Sequence, residues 1–219
     1  PSFVETIFFA IELIGTVAFA ITGVITAIEK KFDIFGAIVL GTVTAVGGGI
    51  VRDLILGYTP PMAFRKSVYA ITAVITSFVI FVIAYFFGKR IQKHFDVYSQ
   101  VINIFDSIGL SVFVVGGVNS AIACGFEENM FLSIFVAALT GIGGGVMRDI
   151  MAGRVPKILR KRVYALAAIV GSIIYYVFIH YQICSSTLAI ILGAGSVLII
   201  RILATIFHWN LPIIKNLDE

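Results

Sequence analysis

The sequence predicts an all-α integral membrane protein with seven transmembrane helices, and three observations lead to that class. Of the 219 residues, 59% are hydrophobic and only 13% are charged, whereas a soluble domain carries about 25% charged residues. Seven apolar stretches approach the roughly 20 residues that a membrane-spanning helix requires. The sequence lacks strand-like alternation with regular turn signals, which argues against a β-barrel and favours helices that satisfy their own backbone groups in lipid.

Short loops join the seven predicted spans. The spans cover residues 4–28, 34–57, 67–87, 101–123, 131–152, 163–180 and 187–206. The loops leave no stretch long enough for a soluble domain. Residues 1–219 are therefore predicted to form a single membrane domain.

The loop charges predict the orientation, because Lys and Arg accumulate in cytoplasmic loops. With seven crossings, one side of the membrane holds only Arg65 and Lys66. The other side holds eleven basic residues: Lys30, Lys31, Lys89, Arg90, Lys93, Arg154, Lys157, Arg160, Lys161, Arg162 and Lys215. We therefore expect a protein of the cell (inner) membrane with its N-terminus outside and its C-terminus in the cytoplasm. The run Arg154–Arg162 either only sets this topology or also attracts anionic lipid head groups, at about 1 kcal/mol per residue.

An internal repeat connects the two halves of the chain. Residues 44–53, TAVGGGIVRD, recur as residues 140–149, TGIGGGVMRD, and Glu12-Leu-Ile-Gly is matched by Asp106-Ser-Ile-Gly. Each copy contains three spans, and an odd number makes the second copy enter the membrane from the opposite side. The halves are therefore expected to be inverted, an arrangement typical of transporters and channels with a site near the bilayer midplane.

This repeat divides the membrane domain into three parts. Residues 1–94 form the first three-helix repeat and residues 95–182 the second, inverted one. Residues 183–219 are predicted to supply a seventh helix and a cytoplasmic tail.

Three consecutive glycines lie near the bilayer centre in spans two and five. They are Gly47, Gly48, Gly49, Gly143, Gly144 and Gly145. A glycine inside a helix costs about 1 kcal/mol relative to alanine, so each triplet is expected to kink or break its helix. Freed backbone groups at this depth would line a cavity and could hold or pass a small ion. The alternative is that the glycines only allow helices to pack closely.

Charged residues accompany both triplets. Arg52 and Arg148 lie within spans, where an arginine costs about 2.5–3.5 kcal/mol and needs a partner or water. The inverted repeat places Glu12 at the depth of Arg52 and Asp106 at the depth of Arg148. We therefore predict two ion pairs, Glu12 with Arg52 and Asp106 with Arg148.

Four further polar residues of the repeat each have two alternative roles. Asp53 and Asp149 point about 100° away from the preceding arginines on a helix, so they are not expected to share a partner with them. They are predicted to be interhelical caps or vestibule charges, with snorkelling to the interface as the alternative, as for Arg201. Thr44 and Thr140 lie one turn before the glycines. Their hydroxyls either contact a permeant ion or bond the preceding carbonyl.

The paired Gly-Gly-Gly-x-x-Arg-Asp segments resemble the prokaryotic branch of the trimeric intracellular cation (TRIC) channel family, a group also labelled glycine transporters. The resemblance covers nearly the whole chain. It implies a homotrimer in which each protomer has its own pore, lined by kinked helices two and five and permeable to monovalent cations, chiefly K⁺, with Na⁺ as a second ion. Animal members carry a Lys-Glu-Val-type segment tied to phosphoinositide binding. Glycines replace it here, so that lipid role is not transferred.

The residues alone leave channel and carrier open. Arginines at both mouths of a midplane site would also suit the carboxylate of a small amino acid such as glycine, so a secondary transporter is the alternative. A non-conducting bundle would leave the repeated glycines and buried charges unexplained. His94, His180 and His208 lack the spacing of a catalytic or metal site, so neither an enzyme nor a metal site is expected. The expected partners are further copies of this chain, permeant K⁺ and bound lipid, without nucleic acid or a resident cofactor.

Overall fold

A computed structural model describes residues 3–91, 95–160, 163–207 and Trp209, and these residues are helical with short connections and no strand. The helices are α1 (Phe3–Glu29), α2 (Ile34–Ile55), α3 (Met62–Arg65), α4 (Val68–Ile91), α5 (Phe95–Ala123), α6 (Met130–Met151), α7 (Lys157–Arg160), α8 (Val163–His180) and α9 (Ser186–Ile206). Seven of them are long and apolar enough to cross a membrane. The predicted all-α class with seven spans is therefore confirmed, while α3 and α7 are single turns that the sequence did not predict.

Side-chain caps start the central helices of the two halves. The Asp33 carboxylate accepts the backbone N–H of Gly36 at 2.7 Å at the start of α2. The side chain of Asn129 accepts the N–H of Leu132 at 3.0 Å at the start of α6. Each cap satisfies one of the N–H groups that the first turn of a helix leaves without a partner.

Glycines in the left-handed region end both central helices. Gly57 follows the C-terminus of α2 with φ of +72°, and Gly153 follows that of α6 with φ of +64°. A side chain is strained in this conformation, which is why glycine is common just after a helix. In both halves the chain then turns into a short helix, α3 or α7, before the third span.

The helices pack as two three-helix groups in contact through their central members. Helices α1, α2 and α4 pack on one another, and α5, α6 and α8 do the same. Helix α2 packs along α6, and α1 along α5, so the groups share a long contact. Helix α9 packs on α5 and α8. This is the predicted arrangement of two inverted repeats with a seventh helix outside them.

Polar side chains lie inside the bundle and large apolar ones face outward. Buried residues include Arg52, Asp106, Arg148 and Arg201, while α4 exposes many apolar side chains, such as Phe86 at 73%. A charge that faces the protein interior finds partners that lipid cannot offer. Arg201 is 3% exposed, so it does not snorkel to the interface.

Several residues named from the sequence lie outside the described side chains. These are Lys89, Arg90, Lys93, His94, Arg160, Lys161, Arg162, His208 and Lys215.

Candidate functional site

The middle glycine of each triplet is the point of closest approach between α2 and α6. A Cβ atom on Gly48 would overlap the backbone carbonyl of Thr140, and a Cβ on Gly144 would overlap that of Thr44. Both obstacles are backbone atoms, which cannot move aside as a flexible side chain can. These two glycines are therefore required by helix packing, as the close-packing alternative predicts.

Neither helix breaks at its glycines. Helix α2 is continuous from Ile34 to Ile55, and α6 from Met130 to Met151. The prediction of broken helices with free half-helix ends is wrong. Three glycines weaken a helix by about 3 kcal/mol in total, whereas each backbone group left unpaired in an apolar interior costs several kcal/mol. Intact hydrogen bonding with close packing is the state of lower free energy.

The third glycine of each triplet faces an arginine. A Cβ on Gly49 would lie 3.6 Å from Arg52 Nη2, and one on Gly145 would lie 3.7 Å from Arg148 Nη2. Both are ordinary contact distances, so these positions lie beside a polar space and not against a helix backbone.

The two threonines bond the preceding turn of their own helices. Thr44 Oγ1 donates to the carbonyl of Leu40 at 2.6 Å, and Thr140 Oγ1 donates to that of Val136 at 2.5 Å. The carbonyl-bonding alternative is therefore observed. Each hydroxyl oxygen still has acceptor capacity, because its proton is the only part used.

Arg148 lies at the centre of a dense ionic cluster, which we call the Arg148 cluster: Asp106, Arg148, Asp149 and Lys157. Arg148 Nη1 lies 2.8 Å from Asp106 Oδ1, and Nη2 lies 2.9 Å from Asp149 Oδ1. Nη1 also donates to Thr22 Oγ1 at 2.9 Å. The predicted ion pair between Asp106 and Arg148 is confirmed, and Arg148 is only 1% exposed.

Lys157 completes this cluster from the first turn of α7. Its Nζ lies 3.4 Å from Asp106 Oδ2 and 3.4 Å from Asn103 Oδ1. Burial lowers the pKa of Lys157, while the Asp106 carboxylate acts in the opposite direction. Lys157 therefore remains a partner of Asp106 in an environment that disfavours its charge.

The matching residues in the first half form a looser group, the Arg52 cluster: Glu12, Arg52, Asp53 and Tyr69. Arg52 Nε lies 2.8 Å from Asp53 Oδ1, and the Tyr69 hydroxyl donates to Glu12 Oε2 at 2.5 Å. In this described part of the chain, Glu12 makes no ion pair with Arg52, so that prediction is wrong. Tyr69 donates a hydrogen bond to Glu12, and Asp53 supplies the negative charge that Arg52 needs. Glu12 and Arg52 therefore do not need to contact each other.

Asp53 and Asp149 have two roles each. Both pair with the arginine that precedes them, a contact that the sequence did not predict. The 100° between neighbouring residues describes Cα–Cβ directions, and a long arginine side chain can bend back to the residue that follows it. The second carboxylate oxygens accept the N–H of Met62 at 2.7 Å and of Lys157 at 3.0 Å. The two aspartates thus cap α3 and α7, as predicted, and their burial excludes snorkelling.

The two clusters differ in the space around them. At the Arg52 cluster, a cavity of about 620 Å³ is lined by charged residues including Glu5, Glu12, Arg52, Asp53 and Lys66. A narrower cavity of about 50 Å³ shares Glu12, Arg52 and Asp53 with it. This narrower space is also lined by residues of the helix crossing: Thr44, Gly48, Gly49 and Thr140. At the Arg148 cluster, the space has a volume near 0 Å³, too small for a water molecule.

Sequence reasoning missed Tyr69, Tyr164, Lys157 and Thr22. A signal for the tyrosines exists, since Val68-Tyr-Ala recurs as Val163-Tyr-Ala after the matched aspartates. Tyr164 is buried in the Arg148 region, and its hydroxyl has no hydrogen-bond partner. Lys157 and Thr22 have no such signal, because residues 62 and 116 of the opposite repeat are methionine and glycine.

The basic run Arg154–Arg162 is already partly neutralised. Arg154 Nη2 lies 2.6 Å from Glu29 Oε2, and Lys157 faces Asp106. Two of its basic side chains are thus engaged by protein carboxylates.

Comparisons with known proteins match both halves of the chain. A family model described as "Glycine transporter" matches residues 9–85 and 103–180. The inner membrane protein YadS of Escherichia coli is 34% identical over 209 residues, which cover 95% of this chain and 96% of that protein. A membrane protein of Deinococcus radiodurans is 38% identical over 164 residues, covering 74% of this chain and 72% of that protein.

Solved structures share the fold over nearly the whole chain. A TRIC cation channel matches with a TM-score of 0.82 and 36% identity, covering 97% of this chain and 99% of its own. The TRIC trimeric intracellular cation channel orthologue from Rhodobacter sphaeroides matches with a TM-score of 0.83 and 28% identity, covering 93% of this chain and 100% of its own. The chain belongs to the family described as glycine transporters, together with its structural relatives, the prokaryotic TRIC channels.

Proposed function

We propose that this protein is a channel for monovalent cations, chiefly K⁺ and also Na⁺, with a pore along the α2–α6 contact of each protomer. One observation carries the proposal. The cavities at the Arg52 cluster extend to Thr44, Gly48, Gly49 and Thr140, where the two helices cross. The Arg148 cluster is the symmetry-related counterpart in the other half.

The charge around the open cavity favours a cation. Glu12 and Asp53 carry two negative charges against one positive charge on Arg52, and the wider cavity adds one acid, Glu5, and one base, Lys66. The lining therefore has a formal charge of −1. Low-dielectric walls focus the electric field of this negative charge in the cavity, which raises the local concentration of cations.

The Arg148 cluster would close the pore in this conformation. Its side chains fill the space between the helices and are held by two ion pairs and the Thr22 hydroxyl. Conduction requires this cluster to rearrange. We expect the described conformation to be a closed one.

Assembly and orientation follow the relatives and the loop charges. The neighbour from Rhodobacter sphaeroides is a trimeric channel, and we propose that this chain also forms a homotrimer. The relative in Escherichia coli is an inner membrane protein, and we propose the same membrane here, with the N-terminus outside. The Arg52 cluster then lies in the outer half and the Arg148 cluster in the inner half. Arg154–Arg162 would lie at the cytoplasmic surface, within reach of anionic head groups.

Planar-bilayer recording tests the proposal. Purified protein should give discrete unitary currents whose reversal potential follows a K⁺ gradient and not a Cl⁻ gradient. A Na⁺ gradient measures the relative permeability of the second ion. The absence of unitary currents from protein that has the expected trimeric mass would contradict it.

A carrier for a small amino acid such as glycine is the second candidate, favoured by one feature of the same cavity. Glu12 and Arg52 line it without pairing with each other, so an ammonium and a carboxylate could each find an opposite charge. Saturable glycine counterflow in proteoliposomes, without unitary currents, would support the carrier and reject the channel.

A further inference from the structure

A groove between α5 and α9 lies outside both clusters. Its volume is about 520 Å³. The residues that line it are Gln100, Asn103, Ile104, Ser107, Ile108, Leu198, Arg201, Ile202, Thr205 and Ile206. None of them belongs to α2 or α6, so the groove is separate from the proposed pore.

Arg201 is the unusual residue of this groove. It is buried, and its Nε donates to Ser107 Oγ at 3.2 Å. Its guanidinium lies over the Tyr164 ring, 4.7 Å from the centroid. Among the described residues, no carboxylate forms an ion pair with it and its terminal nitrogens donate to no side chain. A buried arginine with this remaining donor capacity is suited to bind an anion.

The neighbouring acids cannot neutralise Arg201 as well. Asp106 is adjacent in sequence to Ser107 but pairs with both Arg148 and Lys157. Asp149 is occupied by Arg148 and by the N-terminus of α7. These five charged residues carry three positive and two negative charges. Among these five described residues, one positive charge is therefore in excess.

The walls of the groove are amphiphilic. Buried Ser107 and Arg201 form its polar side, whereas Ile104, Ile202 and Ile206 are 59%, 53% and 63% exposed. The groove lies near the start of α5 and the end of α9, at one end of both spans. An anionic group bound at Arg201 would therefore lie near the level of the head groups, with the exposed isoleucines beside lipid chains.

We propose that this groove binds an anionic phospholipid, with its phosphate on the terminal nitrogens of Arg201 and an acyl chain along the isoleucines. The positive charge of Arg201 favours a phosphate group. The exposed isoleucines beside it favour a lipid over a soluble anion. The site is compatible with a channel or a carrier. Its lining includes no residue of the basic run at 154–162, although Lys157 of that run donates to Asn103 of the lining.

Lipid-dependent stability tests the proposal on the full chain in detergent. Dioleoylphosphatidylglycerol should raise the Tm by about 3–5 °C more than dioleoylphosphatidylcholine does, since a ligand that binds only the folded state stabilises it. Arg201→Gln should lose this difference. Lys30→Gln, which removes an exposed charge next to the end of α1, should keep it. Native mass spectrometry of the same samples should show retained phosphatidylglycerol on the wild type and on Lys30→Gln, but not on Arg201→Gln.

A second variant covers the case in which Arg201→Gln does not fold. Ile104→Trp keeps the arginine and fills the groove, so it should keep the Tm in phosphatidylcholine and lose the response to phosphatidylglycerol. An equal response in wild type and both variants would overturn the proposal. So would equal effects of the two lipids on the wild type, or a matching effect of soluble glycerol phosphate.

Two competing occupants give distinct results. If residues 210–219 fill the groove, the full chain will not respond to phosphatidylglycerol and a chain ending at Trp209 will. If a second copy covers it, the response will appear only after the assembly has been dissociated. Either result would overturn lipid binding at this site.

Discussion

The Arg52 and Arg148 clusters arise from the same repeated motif, yet one borders a cavity of about 620 Å³ and the other encloses almost no space. Each has an arginine, an adjacent aspartate that caps a short helix, and an acid from the first helix of its repeat. The two clusters differ in only a few side chains. Thr22 and Lys157 bind within the Arg148 cluster, where the opposite repeat has Gly116 and Met62.

This difference shows how an inverted repeat can leave a cavity beside one cluster and fill the space beside the other. The backbone plan is the same in both halves, so the size of the cavity at each cluster depends on the side chains there. Substitutions at matched positions can therefore separate what the repeat shares from what it does not.

Removing the acid that the first helix of each repeat contributes, Asp106 or Glu12, should change stability the most, and by very different amounts in the two clusters. Asp106→Asn leaves Arg148 with Asp149 alone and takes the carboxylate from Lys157, so we expect a loss of about 3–5 kcal/mol in the free energy of unfolding. Glu12→Gln keeps an acceptor for Tyr69 and breaks no ion pair, so its loss should stay below about 1 kcal/mol. Chemical unfolding in mixed micelles measures both. Equal losses of stability would contradict the claim that Asp106 is held by ion pairs whereas Glu12 is not.

The crossing glycines should behave alike, because the contact itself is symmetric. Gly48→Ala and Gly144→Ala each place a Cβ against a backbone carbonyl, and each should lower the free energy of unfolding by about 3 kcal/mol. Gly49→Ala is the matched control, because its Cβ meets only Arg52 at 3.6 Å. It should be neutral or slightly stabilising. A neutral Gly144→Ala would show that α2 and α6 do not cross at this point.

Thr22 should make a smaller contribution to the Arg148 cluster, which we propose closes the pore. Thr22→Val keeps the shape and removes the oxygen that accepts from Arg148 at 2.9 Å. We expect a loss of about 1 kcal/mol in stability and, in bilayer recordings, a larger fraction of time in the open state. An unchanged open fraction would assign Thr22 a structural role alone.

Lys157 should have the smallest effect, and its effect should depend on pH. Burial lowers the pKa of Lys157 below its ordinary value of 10.5 in the folded chain. Just below pH 10.5 the unfolded chain therefore binds more protons than the folded one, so stability rises with pH in that window. Lys157→Met, which introduces the residue found at position 62, should remove this rise. The difference between the two unfolding curves against pH measures it, and a difference that falls towards pH 10.5 would contradict the assignment.

The sequence predicted the architecture better than the contacts. Apolar length and the repeated motif were sufficient for the seven spans, and matched depth was sufficient for the pair of Asp106 with Arg148. Matched depth in the membrane did not predict the partner of Arg52, because Asp53 pairs with Arg52 and Tyr69 bonds Glu12. Glycine propensity suggested a break at 47–49, but the cost of unpaired backbone in an apolar interior is larger.

The single most direct test links ion flow to the open cavity. In a chain with Cys124→Ser and Cys184→Ser, Gly49→Cys places a thiol beside Arg52 at an ordinary contact distance. We predict unitary K⁺ currents that decrease when a positively charged methanethiosulfonate reagent is added, with no decrease in the chain that retains Gly49. Currents that persist unchanged after complete modification of position 49, verified by mass spectrometry, would show that cations do not pass through this cavity.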